Sequence, residues 1–246
     1  MIDLNAFCND GFALIPGVIG HEVVELLIGE IESLRAANAD HSYAGMRNLL
    51  TQSPAVRQLA SCPELRNLVE SILGVQAFAT RALLFDKSET ANWWVGWHQD
   101  RFITVREKLD VPGFHGFWRK AGVLHVIPPV DVLAGMLTMR VHLDDSPADN
   151  GPLQVMSGSH RWGLLSPEGL AGREQWGLLS DESETLREPN APVVTCSMDR
   201  GGVLLMRPLL LHASQKATRP VHRRVIHLEY AACDLPGGLE WNDRCY

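Results

Sequence analysis

Near residue 75 the sequence changes period, and that change limits the folds open to it. Before this point apolar residues recur at helical spacing. In HEVVELLIGEIESLRAA, Val23, Val24, Leu27, Ile28, Ile31 and Leu34 follow that period, with Glu22, Glu25, Glu30 and Glu32 elsewhere on the wheel. A second helix is expected from Pro54 to about Leu73, because proline suits a first helical turn and Gly74 suits the end. After residue 75 come RALLFDK, GWHQDRFITV, MLTMRVHLDD, GPLQVMS, APVVTCS, GGVLLM and RRVIHLEYA. These are short, rich in β-branched or aromatic residues, and bounded by Gly, Pro, Asn and Asp, as strands are. Asn150-Gly151 reads as a turn between two of them. Helices followed by many short strands imply a mainly β chain, a sandwich or barrel with helices on one side.

Two longer inserts interrupt the strands, residues 106–133 and 163–190, the second with the acidic run SDESETLRE. Inserts of this length are either active-site covers or surface decoration. The acidic run itself reads as a solvated face.

Composition narrows the function classes. With 246 residues, 46% hydrophobic and 21% charged, the chain can bury one core and is not of a disordered type. Its net charge of −7 argues against a broad basic face, so nucleic acid is not an expected partner. A small anion held by one or two local cations stays open. The start, MIDLNAFCNDGFALIPG, lacks the basic residues and apolar run of a signal peptide, and no stretch approaches the roughly 18 apolar residues of a membrane span. The expectation is a soluble, cytoplasmic protein with no membrane partner; oligomeric state is not legible. Five cysteines (Cys8, Cys62, Cys196, Cys233, Cys245) contain no CxxC pair and read as reduced, mostly buried thiols.

The chemistry-bearing motif is WHQD, residues 97–100. If the strand is extended there, His98 and Asp100 point to one face, either toward a metal or as a charged pair on a sheet surface. His212 lies downstream after an apolar strand, and Arg223 follows it by 11 residues. Two histidines and a carboxylate form the facial triad of non-haem iron(II) oxygenases, which leaves open positions for a bidentate cosubstrate and O₂. An arginine beyond them suits the cosubstrate's far carboxylate, because its planar fork makes bidentate contacts and keeps its charge.

Nearly the whole chain resembles the phytanoyl-CoA dioxygenase-like branch of the iron(II)/2-oxoglutarate oxygenases. The segments that carry the resemblance are NDGFALIPGVI, LLFDK, WHQD, HLDDSPADNGPLQVMSGSH and HAS…RRVIHLEY. The resemblance implies one oxygenase domain over residues 1–246, helical over about 1–75 and with a double-stranded β-helix, the cupin-like jelly-roll barrel, over about 76–235. It implies Fe(II) held by His98, Asp100 and His212, and 2-oxoglutarate held at its C5 carboxylate by Arg223 with Ser214 assisting. Lys87 falls near a lysine that contacts cosubstrate or substrate in some relatives. Where the family often has tryptophan, four residues before the acidic pair, this chain has Arg140, an extra cation for cosubstrate or for an acidic substrate group. The implied reaction couples oxidative decarboxylation of 2-oxoglutarate, with O₂, to oxidation of an unactivated carbon. An aspartate at position 100, where halogenating relatives have a small residue, favours hydroxylation, or desaturation or cyclisation derived from it.

Alternation adds further candidates. If Arg223 faces inward then so do Val225, His227 and Glu229, and Arg224 faces out. His227 and Glu229 are then either substrate contacts or a polar pair within the barrel. Arg140, His142 and Asp144 are likewise expected to share a face. Trp97 either walls the pocket or packs in the core, and Tyr43, Arg47 and Asn48 join the two helices where they could reach substrate. The expected substrate is a small molecule, an amino acid or natural-product intermediate, since Arg140, Lys87 and Arg47 suit a carboxylate. An acyl-CoA or lipid-like substrate is the alternative, less attractive without an evident basic patch. Two readings from other classes remain: a jelly-roll hydrolase or isomerase with another metal, and an inactive ligand-binding barrel.

Overall fold

The computed structural model describes residues 2–37, 45–166 and 191–246. Tyr43 and the acidic run 181–188 lie outside them, as does most of the insert 163–190.

Helices cover one side. The helix His21–Ala37 has the bounds its periodicity predicts, burying Val24, Leu27 and Ile31, whereas Val23 faces solvent. The expected second helix is in fact two, Pro54–Ala60 and Pro63–Leu73. Pro63 is the cause: it lacks an N–H for the preceding turn and holds Cys62 in an extended conformation (φ −67°, ψ 150°). Ser53 caps the first of the two by accepting from Val56 N at 3.0 Å.

The strands are β1 (Phe12–Ile15), β2 (Gly45–Met46), β3 (Phe78–Lys87), β4 (Val95–His98), β5 (Ile103–Val105), β6 (His115–Lys120), β7 (Val123–Ile127), β8 (Leu137–His142), β9 (Leu153–Met156), β10 (Val193–Cys196), β11 (Val203–Met206), β12 (His212–Ser214) and β13 (Arg223–Ala231). Two of these, β1 and β2, fall in the part expected to be helical. They form the edges of a six-stranded sheet ordered β1-β11-β8-β13-β3-β2. A four-stranded sheet, β10-β9-β12-β4, faces it. Leu153, Val155 and Cys196 from the smaller sheet meet Leu204 and Met206 from the larger one between the two. Among the described residues the strands pair antiparallel, and the arrangement is the expected mainly β jelly-roll with flanking helices.

The outer face of the larger sheet packs on the helices through Leu84, Met139, Val141, Ile226 and Leu228. Its inner face is set by register. Arg223 pairs with Lys87, His227 with Leu83 and Arg140, and Glu229 with Arg81 and Thr138. Period-two alternation therefore sends one polar row from each of three adjacent strands into the barrel.

The insert 106–133 supplies β6 and β7, which form a third sheet with β5 in the order β5-β7-β6, with its own apolar cluster around Phe78, Val126 and Trp241. Among the described residues, no helix is long and apolar enough to cross a membrane. All five cysteines are free, and the expectation of burial is corrected for two: Cys196 and Cys245 are buried, but Cys8 and Cys233 are exposed at the surface.

Candidate active site

His98 is the last residue of β4 and His212 the first of β12, and the two face each other in register. Their rings lie 4.1 Å apart between centroids, tilted by 53°. Asp100 is not on a strand as expected, because β4 ends at His98. The residue between them explains how it is still aimed. Gln99 donates to the carbonyls of Gly163 (2.8 Å) and Leu209 (2.7 Å) and accepts from Leu165 N (2.9 Å), while Asp100 N donates to Pro208 O at 2.9 Å. One ligand-type atom from each of His98, Asp100 and His212 lies within 4.8 Å of the other two.

The tautomers follow from hydrogen bonding. His98 Nδ1 is 2.8 Å from Gly96 O, and His212 Nδ1 is 2.8 Å from Leu210 O. A carbonyl only accepts, so each Nδ1 carries the proton and each Nε2 offers a lone pair. Burial drives His212 down to about 3, which keeps it neutral. Burial opposes ionisation of Asp100, but the imidazoles of His212, His227 and His98 and the guanidinium of Arg81 around it outweigh that and hold the carboxyl at about 2. Asp100 Oδ2 is buried with no hydrogen-bond partner among the described residues. A buried carboxylate oxygen without a donor, beside two imidazole lone pairs, is a donor set that a divalent cation satisfies.

The same cavity, about 80 Å³, ends in cations. Lys87 Nζ donates to Ser214 Oγ and to the carbonyl of Gln215, and Arg223 Nη1 donates to the carbonyl of Gly151. Arg223 Nε and Arg140 Nε are buried with no hydrogen-bond partner among the described residues. Burial, with the charges of Arg223 and Arg140 close by, pulls Lys87 down to about 7. The Asp100 carboxylate is the one acidic group lining the cavity. Three buried cations and a hydroxyl at its far end suit an organic carboxylate.

Most of the sequence candidates come together here. His98, Asp100, His212, Ser214, Arg223, Arg140 and His227 line the cavity, with Lys87 behind Ser214. Arg140 Nη1 lies 3.2 Å from His227 Nδ1, and His227 Nε2 lies 3.4 Å from Glu229 Oε1, which Arg81 also pairs at 3.2 Å. His142 is buried on the same face, and among the described residues neither ring nitrogen is hydrogen-bonded. Asp144 does not share that face. It lies past the end of β8 and holds Arg224 on the outside, at 2.8 Å to Nε and 2.7 Å to Nη2. Of the two roles open to Trp97, it takes packing and not the pocket wall: it sits with Met156, Leu211 and Ala213 on the outer side of the smaller sheet, since it alternates with His98. The tryptophan at the cavity is Trp93, with Phe85 opposite. Phe85 and Arg81 were within reach of the sequence, being two and six residues before Lys87 on one strand face. Nothing in the sequence distinguishes Trp93 from its neighbours. Arg47 and Asn48 lie at a neighbouring cavity, and Asn48 is tied to the β6–β7 turn through Ala121 O at 3.0 Å.

Residues 7–225 match the phytanoyl-CoA dioxygenase (PhyH) family. The chain belongs to that family. Solved structures with the same fold include AviO1 from Streptomyces viridochromogenes Tue57, 21% identical with a TM-score of 0.63, covering 95% of this chain and 94% of that one. EctD from S. alaskensis, solved with 2-oxoglutarate and 5-hydroxyectoine, is 21% identical with a TM-score of 0.67, covering 94% of this chain and 76% of that one. SnoK, a non-haem α-ketoglutarate-dependent carbocyclase from nogalamycin biosynthesis, is 14% identical with a TM-score of 0.67, covering 94% and 83%. No curated protein sequence gives a significant match. In this PhyH-family chain the His–Asp–His cluster and the buried cations occupy one cavity between the two sheets, so the residues present fit an iron centre with an organic anion bound beside it.

Proposed function

We propose that this protein is an Fe(II)- and 2-oxoglutarate-dependent dioxygenase that hydroxylates an unactivated carbon of a small molecule. The observation that carries the reading is the pairing of two features in one cavity. His98, Asp100 and His212 converge within 4.8 Å with both Nε2 atoms free, and Arg223, Lys87 and Ser214 cluster at the opposite end. A hydrolase or isomerase barrel with another metal has no need of the second feature. The structures of EctD with 2-oxoglutarate and of the α-ketoglutarate-dependent SnoK support it by fold.

In this reading His98, Asp100 and His212 hold Fe(II), and Arg223, with Ser214 and Lys87, holds the C5 carboxylate of 2-oxoglutarate. When bound, iron and 2-oxoglutarate together supply O₂ activation, with succinate and CO₂ as coproducts. The chain's own part is orientation and exclusion of water. The Gly96 and Leu210 carbonyls fix the two imidazoles, Gln99 fixes Asp100, and Arg140 steadies His227 beside Asp100. Phe85, Trp93 and Leu153 give the cavity an apolar wall along which a C–H bond can lie.

The test is anaerobic. Fe(II) and then 2-oxoglutarate are added to the apo-protein while the visible spectrum is recorded. A weak charge-transfer band, lost in His98→Ala and weakened in Arg223→Ala, is the expected result. Folded, iron-loaded protein with no band on adding 2-oxoglutarate would overturn the assignment.

A further inference from the structure

Next to the iron cavity lies a second cationic site, separate from the one at Lys87 and Arg223. Its position begins with Gly45. A Cβ there would stand 2.6 Å from Leu84 O, so only glycine lets β2 lie this close to β3. The register Gly45↔Phe85 and Met46↔Leu84 then sets the next residue, Arg47, opposite Leu83. Met46 is buried toward the helices, so Arg47 turns to the other face, the one that carries Arg81, Leu83 and Phe85.

Arg47 is half-buried, and among the described residues it has no hydrogen bond and no ion pair. Its close charged neighbour is another cation, Arg81. Arg81 gives one nitrogen to Glu229 at 3.2 Å, and that carboxylate is already shared with His227. Asp243 lies on the same cavity wall but is tied to Thr51 (3.3 Å) and Asn242 (2.7 Å), and it pairs with neither arginine. Burial and Arg81 both make the charge on Arg47 costly, which is the situation an incoming anion relieves.

The cavities adjoin one another. A space of about 220 Å³ bounded by Arg47, Leu83, Phe85 and Trp93 shares Phe85 and Trp93 with the iron cavity. It also shares Arg47 and Leu83 with the space around Arg81 and His125. Between Arg47 and the cavity of His98 and Asp100 stand two apolar side chains, Phe85 and Trp93, which line both spaces.

We infer that Arg47, with Arg81 beside it, anchors an oxyanion of the substrate, a carboxylate or a phosphate, while the apolar body runs past Phe85 and Trp93 to the iron. This rests on the oxygenase reading for the word substrate, but the anion site itself stands apart from it. The ligand is an anionic small molecule, and Arg47 is a specificity-determining residue.

The test uses full-length protein loaded with Fe(II) and 2-oxoglutarate without oxygen. Inorganic phosphate and benzoate are titrated separately, with tryptophan fluorescence as the readout, in wild type, Arg47→Gln and Arg47→Lys. The expected result is saturable binding of one of the two anions in wild type, weakened at least about tenfold in Arg47→Gln and partly recovered in Arg47→Lys. Which of the two binds separates phosphate from carboxylate substrates. The 2-oxoglutarate band should titrate alike in all three proteins, which also shows that the variants fold. Anion binding of equal strength in wild type and Arg47→Gln, or none in wild type, would overturn the site. Loss of the band in wild type with Arg47-dependent anion binding intact would remove the oxygenase reading and leave the anion site standing.

Discussion

Two adjacent arginines show how far a single residue's place is decided by strand geometry. Arg223 points into the barrel toward the Gly151 carbonyl, and Arg224 points out to Asp144 and Glu32. Their side chains are chemically alike, so their substitution separates position from charge. Arg223→Ala should weaken 2-oxoglutarate about 10- to 100-fold, the loss of a charge-assisted contact of about 1.5–3 kcal/mol. Arg224→Ala should leave that affinity within about twofold and lower only stability, by about 1.5–3 kcal/mol for a bidentate, mostly buried pair. Titration of the charge-transfer band and a urea melt read the two effects; equal losses of affinity would refute the assignment. Lys87 makes a second prediction. Free of ligand it titrates at about 7, well below the ordinary lysine, because it is buried beside two arginines. A bound carboxylate restores its charge, so binding above pH 7 takes up a proton. 2-Oxoglutarate affinity should be flat below pH 7 and fall as pH rises through it, while Lys87→Met should bind more weakly below pH 7 and lose that part of the slope. For the ligand-free fold the sign is opposite. The unfolded chain keeps the Lys87 proton to higher pH than the fold does, so this group's contribution to stability rises from pH 7 upward. An unchanged pH slope in Lys87→Met would rule the lysine out as its source.

At the scale of elements, long periodic segments were legible and short ones were not. The helix His21–Ala37 was readable because 17 residues carry one stripe, and the strand β13 because alternation over nine residues leaves little choice of face. The edge strands β1 and β2, of four and two residues, have no pattern of their own; pairing with β11 and β3 makes them strands. The break at Pro63 was legible in principle, yet the apolar pattern on both sides concealed it. The metal-binding motif was readable as residue types at a spacing, but not as geometry, since Asp100 lies beyond its strand and is positioned by Gln99. That dependence is testable. Gln99→Ala removes hydrogen bonds to Gly163 O, Leu209 O and Leu165 N, so stability should fall by about 2–4 kcal/mol in urea unfolding. Iron affinity should fall with it, although Gln99 touches no metal. A variant that loses stability but keeps full iron affinity would show that Asp100 is positioned without it.

For the molecule as a whole, the space between the sheets is divided. Toward β10 and β11 it is filled by Leu153, Val155, Cys196, Leu204 and Met206; toward β3 and β13 it holds arginines, a lysine, histidines and carboxylates. In sequence those polar residues look like a solvent face, and what reverses the reading is that the opposite face of the same strands packs on helices. Without ligands, the polar half keeps orphaned donors and acceptors at Asp100, Arg140 and Arg223, each costly to bury. Ligands that satisfy them bind the fold and not the unfolded chain, so they must raise its melting temperature. At a hundred times its dissociation constant, Fe(II) should add about 2.7 kcal/mol. For a chain of this size that is a shift of roughly 5–11 °C, at about 2–4 °C per kcal/mol. 2-Oxoglutarate should add a further shift when iron is present and little alone, if His98, Asp100 and His212 hold a metal that would bind its other end. His98→Ala should abolish the iron shift and, with it, the dependence of 2-oxoglutarate on iron. If 2-oxoglutarate alone raised the melting temperature as far as the two together, the cations near Lys87 would be an anion site independent of the metal, and the two ends of the cavity would not serve one reaction.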